Sequence, residues 1–361
     1  MKTRLLLVLF VMLISTLAAC TTHNTTINKV VDDDTASADD DTADDDTTLD
    51  DDTADDDTTS DDDATTPHWT LMDSGIDNDY YGVWGSSHND VFAVGWGPAI
   101  SHYDGNSWSY VTVMGLAFMG IWGASSSDVF AVDDCGFGCV FHYDGSSWSA
   151  MTTPGDIASI LCGVWGTSHE DVFAVGTGSN GRLILHYDGS SWAEMTIPGG
   201  VANLQSIWGS SSSDVFAVGG EDEIGDSAVI LHYDGSSWSK MTDDALKYVG
   251  LWGVWGASHD DVFAVGGGFP GGGRIVHFDG SSWSLMTIPE SGPLFGVWGT
   301  SPSDVFAVGD GTILHYDGSS WSEMNVPEID GVIPDFTGVW GASSSDVFAV
   351  GPLGVIVHYG P

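Results

Sequence analysis

Seven histidines, at 102, 142, 186, 232, 277, 315 and 358, return every 38 to 46 residues, each followed by Tyr or Phe. Imidazole is the side chain best suited to acid–base work and metal ligation near neutral pH. A catalytic residue need occur only once in a set of repeated units, however. A histidine present in all seven therefore reads as structural, hydrogen-bonded within its own unit. The Asp that precedes Val-Phe-Ala-Val in every unit, such as Asp304, reads the same way, as a turn acceptor. Of the four cysteines, Cys135 and Cys139 flank Gly136-Phe137-Gly138 in a hairpin loop, where facing strands come within disulfide range. A bridge there suits an oxidising compartment. A Cys-x-x-x-Cys metal site would need further ligands, and no clustered histidine is legible, so no metal ligand is assigned. Cys162 is left as a lone thiol, expected to be buried and inert.

Residues that differ from unit to unit are better candidates for a ligand. Tyr81, Trp96, Phe137, Trp252, Phe269 and Phe295 lie in or beside loops of variable length, with Tyr80, Phe118 and Phe336 close by. The same loops carry Asp133, Asp134, Glu221, Asp222, Glu223, Asp226, Asp243 and Asp244, and almost no bases. Aromatic planes beside carboxylates suit neutral sugars, whose C–H faces lie on rings while hydroxyls donate to acids. They also suit Ca²⁺-dependent recognition. The alternative use of any one ring is as a local core beneath its loop. Position 252 stands apart, because the corresponding residues are Tyr81, Met119, Cys162, Gln205, Trp252, Phe295 and Thr337, more variety than a shared packing position should show. A glycoside hydrolase or polysaccharide lyase using loop carboxylates is the enzymatic alternative; hydrolysis needs two carboxylates ~5 to 9 Å apart, and no spacing singles out a pair. Ser-His-Asp chemistry lacks its nucleophile-elbow motif, and no phosphate-cradling Gly loop precedes a helix. No catalytic residue is assigned.

The elements that must position these groups form a repeated sentence, clearest in GVWGTSPSDVFAVGDGTILHYDGSSWSEM at 296–324. Its Trp-Gly recurs at Trp84, Trp122, Trp165, Trp208, Trp255, Trp298 and Trp340, with spacings of 38, 43, 43, 47, 43 and 42. A period in the low forties is that of a four-stranded propeller blade. Within a unit, a strand ending in Trp-Gly leads through a short Ser-rich turn to Val-Phe-Ala-Val, apolar on both faces as a sandwiched strand must be. A Gly-rich hairpin leads to Ile-Leu-His-Tyr, and Asp-Gly-Ser-Ser turns into a last strand, Trp-Ser-x-Met. One such strand, Trp69 to Met72, precedes the first unit, and the last unit, reaching His358 and Tyr359, has none of its own. The expectation is an all-β, seven-bladed β-propeller of four-stranded blades, closed by its own N-terminal strand. Antiparallel order places the two invariant turns at one end of the ring and the variable loops at the other, where binding is expected.

Units such as DVFAVGDGTILHYDGSSW resemble the repeats of Asp-box propellers, the group of photosystem II assembly factors and sialidases, and resemble more closely the VWG/DVFAVG repeat proteins of bacterial cell surfaces. The resemblance covers residues 69–361. It departs from the Asp box by one residue, since only two residues separate Asp317-Gly318 from Trp321. Sialidases of that group need three arginines on the substrate carboxylate, and this region offers only Arg182 and Arg274, so the resemblance implies the blade and not the activity.

Residues 1–19 have the order of an export signal, with Lys2 and Arg4, then the apolar run from Leu5, then small residues. The segment is too short for a spanning helix. Leu17-Ala18-Ala19-Cys20 resembles the lipobox of bacterial lipoproteins, which implies lipidation of Cys20 and anchoring by an N-terminal lipid. Thr21, where an inner-membrane retention signal would usually have Asp, favours the outer membrane or cell surface. Residues 20–67 hold six Asp triplets among Thr, Ala and Ser, with almost nothing to bury, and are expected to stay disordered as a tether. Such a chain spans about 40 Å. Clustered carboxylates are also ligands that Ca²⁺ prefers, although no Gly-turned EF-hand loop is present. Across residues 68–361, 34 acids face four bases, the wrong sign for a nucleic-acid partner. The expected function is a monomeric, lipid-anchored binding propeller for a glycan or protein ligand; a structural component of an envelope complex is the further alternative.

Overall fold

The computed structural model describes residues 66–361 apart from 114–116, 135–138, 155–158, 180, 200, 202, 222–227 and 269–270. The leader, Cys20, the Asp triplets, Cys135, Phe137, Phe269 and the acids at 222, 223 and 226 fall outside the described residues. Ala64–Pro361 is one compact unit. Its strands form seven four-stranded antiparallel sheets, each a blade whose strands are adjacent in chain order. The seventh is the exception that closes the ring. Its first three strands, Gly338–Ser343, Asp346–Val350 and Ile356–Gly360, are completed by His68–Met72, with Trp69 opposite Tyr359 and Met72 opposite Ile356. The inner strands of successive blades pack on one another, and that of blade seven returns to Tyr80–Ser87 of blade one. Among the described residues no helix is long and apolar enough to cross a membrane.

The repeated sequence becomes repeated packing. Val, Phe, Ala and Val of the second strand are buried in every blade, as at Val305, Phe306, Ala307 and Val308. Each fully buried Val or Phe contributes roughly 1.5–3 kcal/mol. The Phe lies directly across from the inner-strand Trp on one side and the third-strand His on the other, as Phe306 does with Trp298 and His315. The rings follow, with Phe306 at 6.2 Å from Trp298 and 4.7 Å from His315. The Trp in turn reaches the next blade. Trp84 lies over Gly123, Trp122 over Gly166, Trp165 over Gly209, and so on until Trp340 lies over Gly85. A Cβ on any of these glycines would come within 2.5–2.9 Å of the indole, so Trp-Gly is one joint shared between two blades.

The outer Trp completes the set. The indole N–H of Trp238 donates to Met195 Sδ of the preceding blade, Trp321 to Met286, and Trp69 to Met324. Six glycines of the Asp-Gly turns, from Gly105 to Gly318, have φ of 85–91°, the left-handed region Gly adopts freely. The turn Asp accepts two backbone N–H bonds at 2.8–2.9 Å, as Asp317 does from Ser319 and Ser320; the Ser319 hydroxyl donating to Asp317 at 2.6 Å, with those two N–H groups, holds the Asp317 carboxyl down to about 2.

Candidate functional site

Each of the first six inner strands carries a β-bulge one residue before Gly-Val-Trp-Gly or its equivalent. The register skips Tyr81 between Tyr80 and Gly82, and likewise Met119, Cys162, Gln205, Trp252 and Phe295. An extra residue in a strand is left unpaired and its side chain re-aimed. These residues, with Thr337 in blade seven, therefore form a ring at the end of the inner strands nearest the variable loops. Backbones crowd there: a Cβ on Gly120 would lie 2.8 Å from the Cys162 carbonyl, and one on Gly338 would lie 3.1 Å from that of Tyr81. All seven ring side chains are half-buried. Trp252 and Phe295, from adjacent blades, meet with ring centroids 5.4 Å apart. Thr337 is drawn back, its hydroxyl donating to the carbonyls of Tyr80 and Val350.

Blade two departs from the others and makes the site electrostatically uneven. Where the other blades have a glycine after Val-Phe-Ala-Val, whose Cβ would meet a carbonyl at 1.8–2.1 Å, blade two has Asp133. Asp133 is fully buried and accepts from the Ala117 N–H at 3.0 Å. The next residue, Asp134, is half-buried, and desolvation together with the Asp133 charge raises its carboxyl to about 6. Burial, reinforced by Asp79 and Asp134, pushes the Tyr81 phenol up to about 12. Burial, with Asp134 adding to it, does the same to the Cys162 thiol, also to about 12. Blades one to three thus present a phenol and a thiol that stay protonated at neutral pH, and a carboxylate that has no basic partner among the described residues. Perturbed groups gathered together mark candidate sites.

Not every sequence candidate joins this group. Tyr80, Phe118 and Phe336 are fully buried and belong to the core. Trp96 is 53 % exposed on the hairpin of blade one. Phe137 and Phe269 lie outside the described residues. Asp243 caps the 3₁₀ turn Asp244–Leu246, accepting from Ala245 N and, from the neighbouring blade, Trp283 N. Asp244 pairs with Lys247 at 2.7 Å on the open surface. The proposed bridge from Cys139 ends on Cys135, outside the described residues, and Cys162 is a free thiol.

Three exposed residues were missed. Tyr248, Val332 and Leu353, 64, 49 and 76 % exposed, stand on the same variable face as Trp96. Tyr248 and Leu353 have φ of 59° and 58°. Left-handed backbone costs a large L-residue of order 1–3 kcal/mol and recurs in ligand clamps. No sequence signal separates them from the apolar neighbours in their loops, such as Ile329 and Ile333 beside Val332 or Val355 beside Leu353. A groove of about 580 Å³ between blades one and two was also missed; it opens where Val111 stands in place of the outer-strand Met, beside Trp148.

No protein-family model matches the chain, and no curated protein does. Among solved structures 1030 chains match, so the fold by itself selects no function. A structure of YCF48 bound to a D1 peptide superposes with a TM-score of 0.63 at 16% identity, covering 81% of this chain and 97% of that one. YCF48 from Cyanidioschyzon merolae gives 0.63 at 13% identity, over 81% and 99%. The WD40 β-propeller domain of Doa1 gives 0.61 at 10% identity, over 82% and 97%. At these identities the likeness establishes a β-propeller and nothing finer.

Proposed function

We propose that the protein is a lipid-anchored, extracytoplasmic recognition propeller whose variable face binds a polypeptide segment carrying apolar and basic side chains. The observation that carries this reading is that four exposed apolar residues, Trp96, Tyr248, Val332 and Leu353, are spread around the variable loops of the face that also holds half-buried Tyr81, Trp252 and Phe295. Exposed apolar residues gathered on one polar-rimmed face favour a protein partner. Two of them are held in left-handed backbone, which a merely solvated loop would avoid. The charge of the partner follows from the propeller, where 34 acids against four bases give a net charge near −30. A Lys or Arg placed beside Asp134 would supply the counter-charge that this carboxyl lacks. That one solved neighbour is a propeller bound to a peptide agrees with the reading. Lipidation of Cys20, export and the outer-membrane or surface location rest on the leader sequence.

The test is a random-peptide display selection against the purified chain, with a Tyr248→Ser/Leu353→Ser variant for counter-selection. The expected result is enrichment of peptides pairing aromatic or aliphatic residues with Lys or Arg, bound at least about tenfold more weakly by the variant, since ~1.4 kcal/mol suffices. Selected peptides that bind both proteins equally would remove the variable face from consideration. A glycan array run in parallel, with Ca²⁺ and with chelator, gives the competing outcome: glycan binding without peptide binding makes the ligand a sugar, and turnover makes the protein a hydrolase or lyase using loop carboxylates.

A further inference from the structure

At three of the seven joints between blades a second histidine arrives. His88, His169 and His259 sit mid-turn between the inner and second strands of blades one, three and five, and each reaches back to the turn Asp of the preceding blade. Their Nδ1 atoms lie 2.9, 2.8 and 2.6 Å from Oδ1 of Asp346, Asp128 and Asp214. The same oxygen already faces Nε2 of His358, His142 and His232 at 2.6–2.7 Å. Two imidazole nitrogens and a carboxylate oxygen therefore converge three times, all within 4.8 Å of one another. In the remaining blades the pair is simple, as with His102 and Asp90 at 2.7 Å. The in-blade histidines alone looked structural; the turn histidines turn three of the pairs into clusters that no local sequence motif displays.

We propose that these three joints are binding sites for a divalent transition metal, Zn²⁺ foremost, each held by two imidazoles and one carboxylate, with water completing the shell. The donor set is the reason. Neutral imidazole suits Zn, Cu, Fe and Ni, and a carboxylate beside two histidines is a recurring open-site combination. Ligation needs only a tautomer change at each ring, moving its proton to the nitrogen that faces away. Tetrahedral metal–ligand bonds of about 2.0–2.1 Å place neighbouring ligand atoms about 3.3 Å apart, so each N···O spacing would open by roughly half an ångström, while the two nitrogens already lie within 4.8 Å of each other. The inner side of each site is rigid. Asp346, Asp128, Asp214 and the in-blade histidines are 12–20 % exposed, and those histidines lie 4.5–4.7 Å from Phe348, Phe130 and Phe216. The outer side is open, because the turn histidines are 45–57 % exposed. A metal there would tie blade seven to blade one at the closure of the ring, and tie two to three and four to five. These sites belong to the face of the invariant turns, opposite the variable loops, and stand independently of the ligand proposed above.

The experiment is a Zn²⁺ titration by calorimetry of the chelator-stripped full chain, with Co²⁺ absorption as a spectroscopic check. The Asp-rich N-terminal segment also attracts divalent cations, so the reading is the difference between wild type and variants. The variants are His88→Ser, His169→Ser and His259→Ser, singly and combined; serine is what blades two, four and seven carry at that position, in Ser126, Ser212 and Ser344, so the fold tolerates it. The expected result is one Zn²⁺ fewer per chain for each substitution, three fewer in the triple variant, and a visible Co²⁺ band that falls by a third at each step. Zn²⁺ should also raise the thermal midpoint of wild type more than that of the triple variant. Equal stoichiometry in wild type and triple variant overturns the proposal and leaves the clusters as hydrogen-bonded joints.

Discussion

Replacing Gly256 by Ala tests whether the Trp-on-Gly joints hold the ring together. The added Cβ would lie 2.6 Å from two carbons of the Trp208 indole and 2.8 Å from the Asp261 carbonyl oxygen. Ordinary contact begins near 3.4 Å, so the indole would have to retreat by about 0.8 Å or the backbone of two blades part. Retreat is obstructed, because Trp208 stacks on Phe216, which is fully buried in the joint between blades four and five. Overpacking of this kind costs about 1–3 kcal/mol, and clashing with ring and carbonyl together places it in the upper half. Loss of the glycine's freedom in the unfolded chain returns about 0.4–1 kcal/mol, for a net cost of about 2 kcal/mol. Urea unfolding followed by tryptophan fluorescence measures it as a lowered midpoint at unchanged slope. The control is Gly199→Ala, whose Cβ would meet nothing within 4 Å; it should be neutral or slightly stabilising. If the two variants were equally stable, the joints would not be the close contacts described.

Three further outcomes are expected. Asp134 is raised to about 6 from the ordinary carboxylate value of 3.8, so the native state keeps a proton that the unfolded chain has released, and stability falls as pH rises through that interval. Asp134→Asn should therefore match wild type near pH 3.5 and exceed it by about 1 kcal/mol at pH 7, the two-unit shift being cut down by solvent screening; a stability difference that does not vary with pH would refute the desolvation argument. Cys162, its thiol pushed up to about 12, should stay unmodified by iodoacetamide in the folded protein at pH 8 and react once unfolded. Cys20→Ser should abolish incorporation of labelled fatty acid, and its retention would refute the lipoprotein reading of the leader.

The propeller was legible because each blade repeats the same contacts. Val-Phe-Ala-Val between a Trp strand and a His strand predicts a sheet buried on both faces, and the orphan strand from Trp69 to Met72 implies the pairing with Ile356–Gly360 that the structure contains. The variable face was legible in outline, from loop lengths, and the ring position was found by comparing units at Tyr81, Trp252 and Phe295. What those comparisons could not weigh is exposure. Phe118 and Phe336 look like Trp96 in sequence, yet the first two are core and the third stands in solvent. Asp243 and Asp133 look like free loop acids and are instead a cap and a buried acceptor.

The sequence by itself determined the strand pattern, the number of blades and the closure, because these depend on local periodicity and on counting. Tertiary structure decided which groups from different blades meet. Asp134 gathers its altered titration from burial and from Asp133, and raises that of Tyr81 and Cys162 in the blades on either side. His259 reaches Asp214 across 45 residues. Such encounters are set by the rotation from one blade to the next about a common axis, and no motif within a single repeat encodes that rotation.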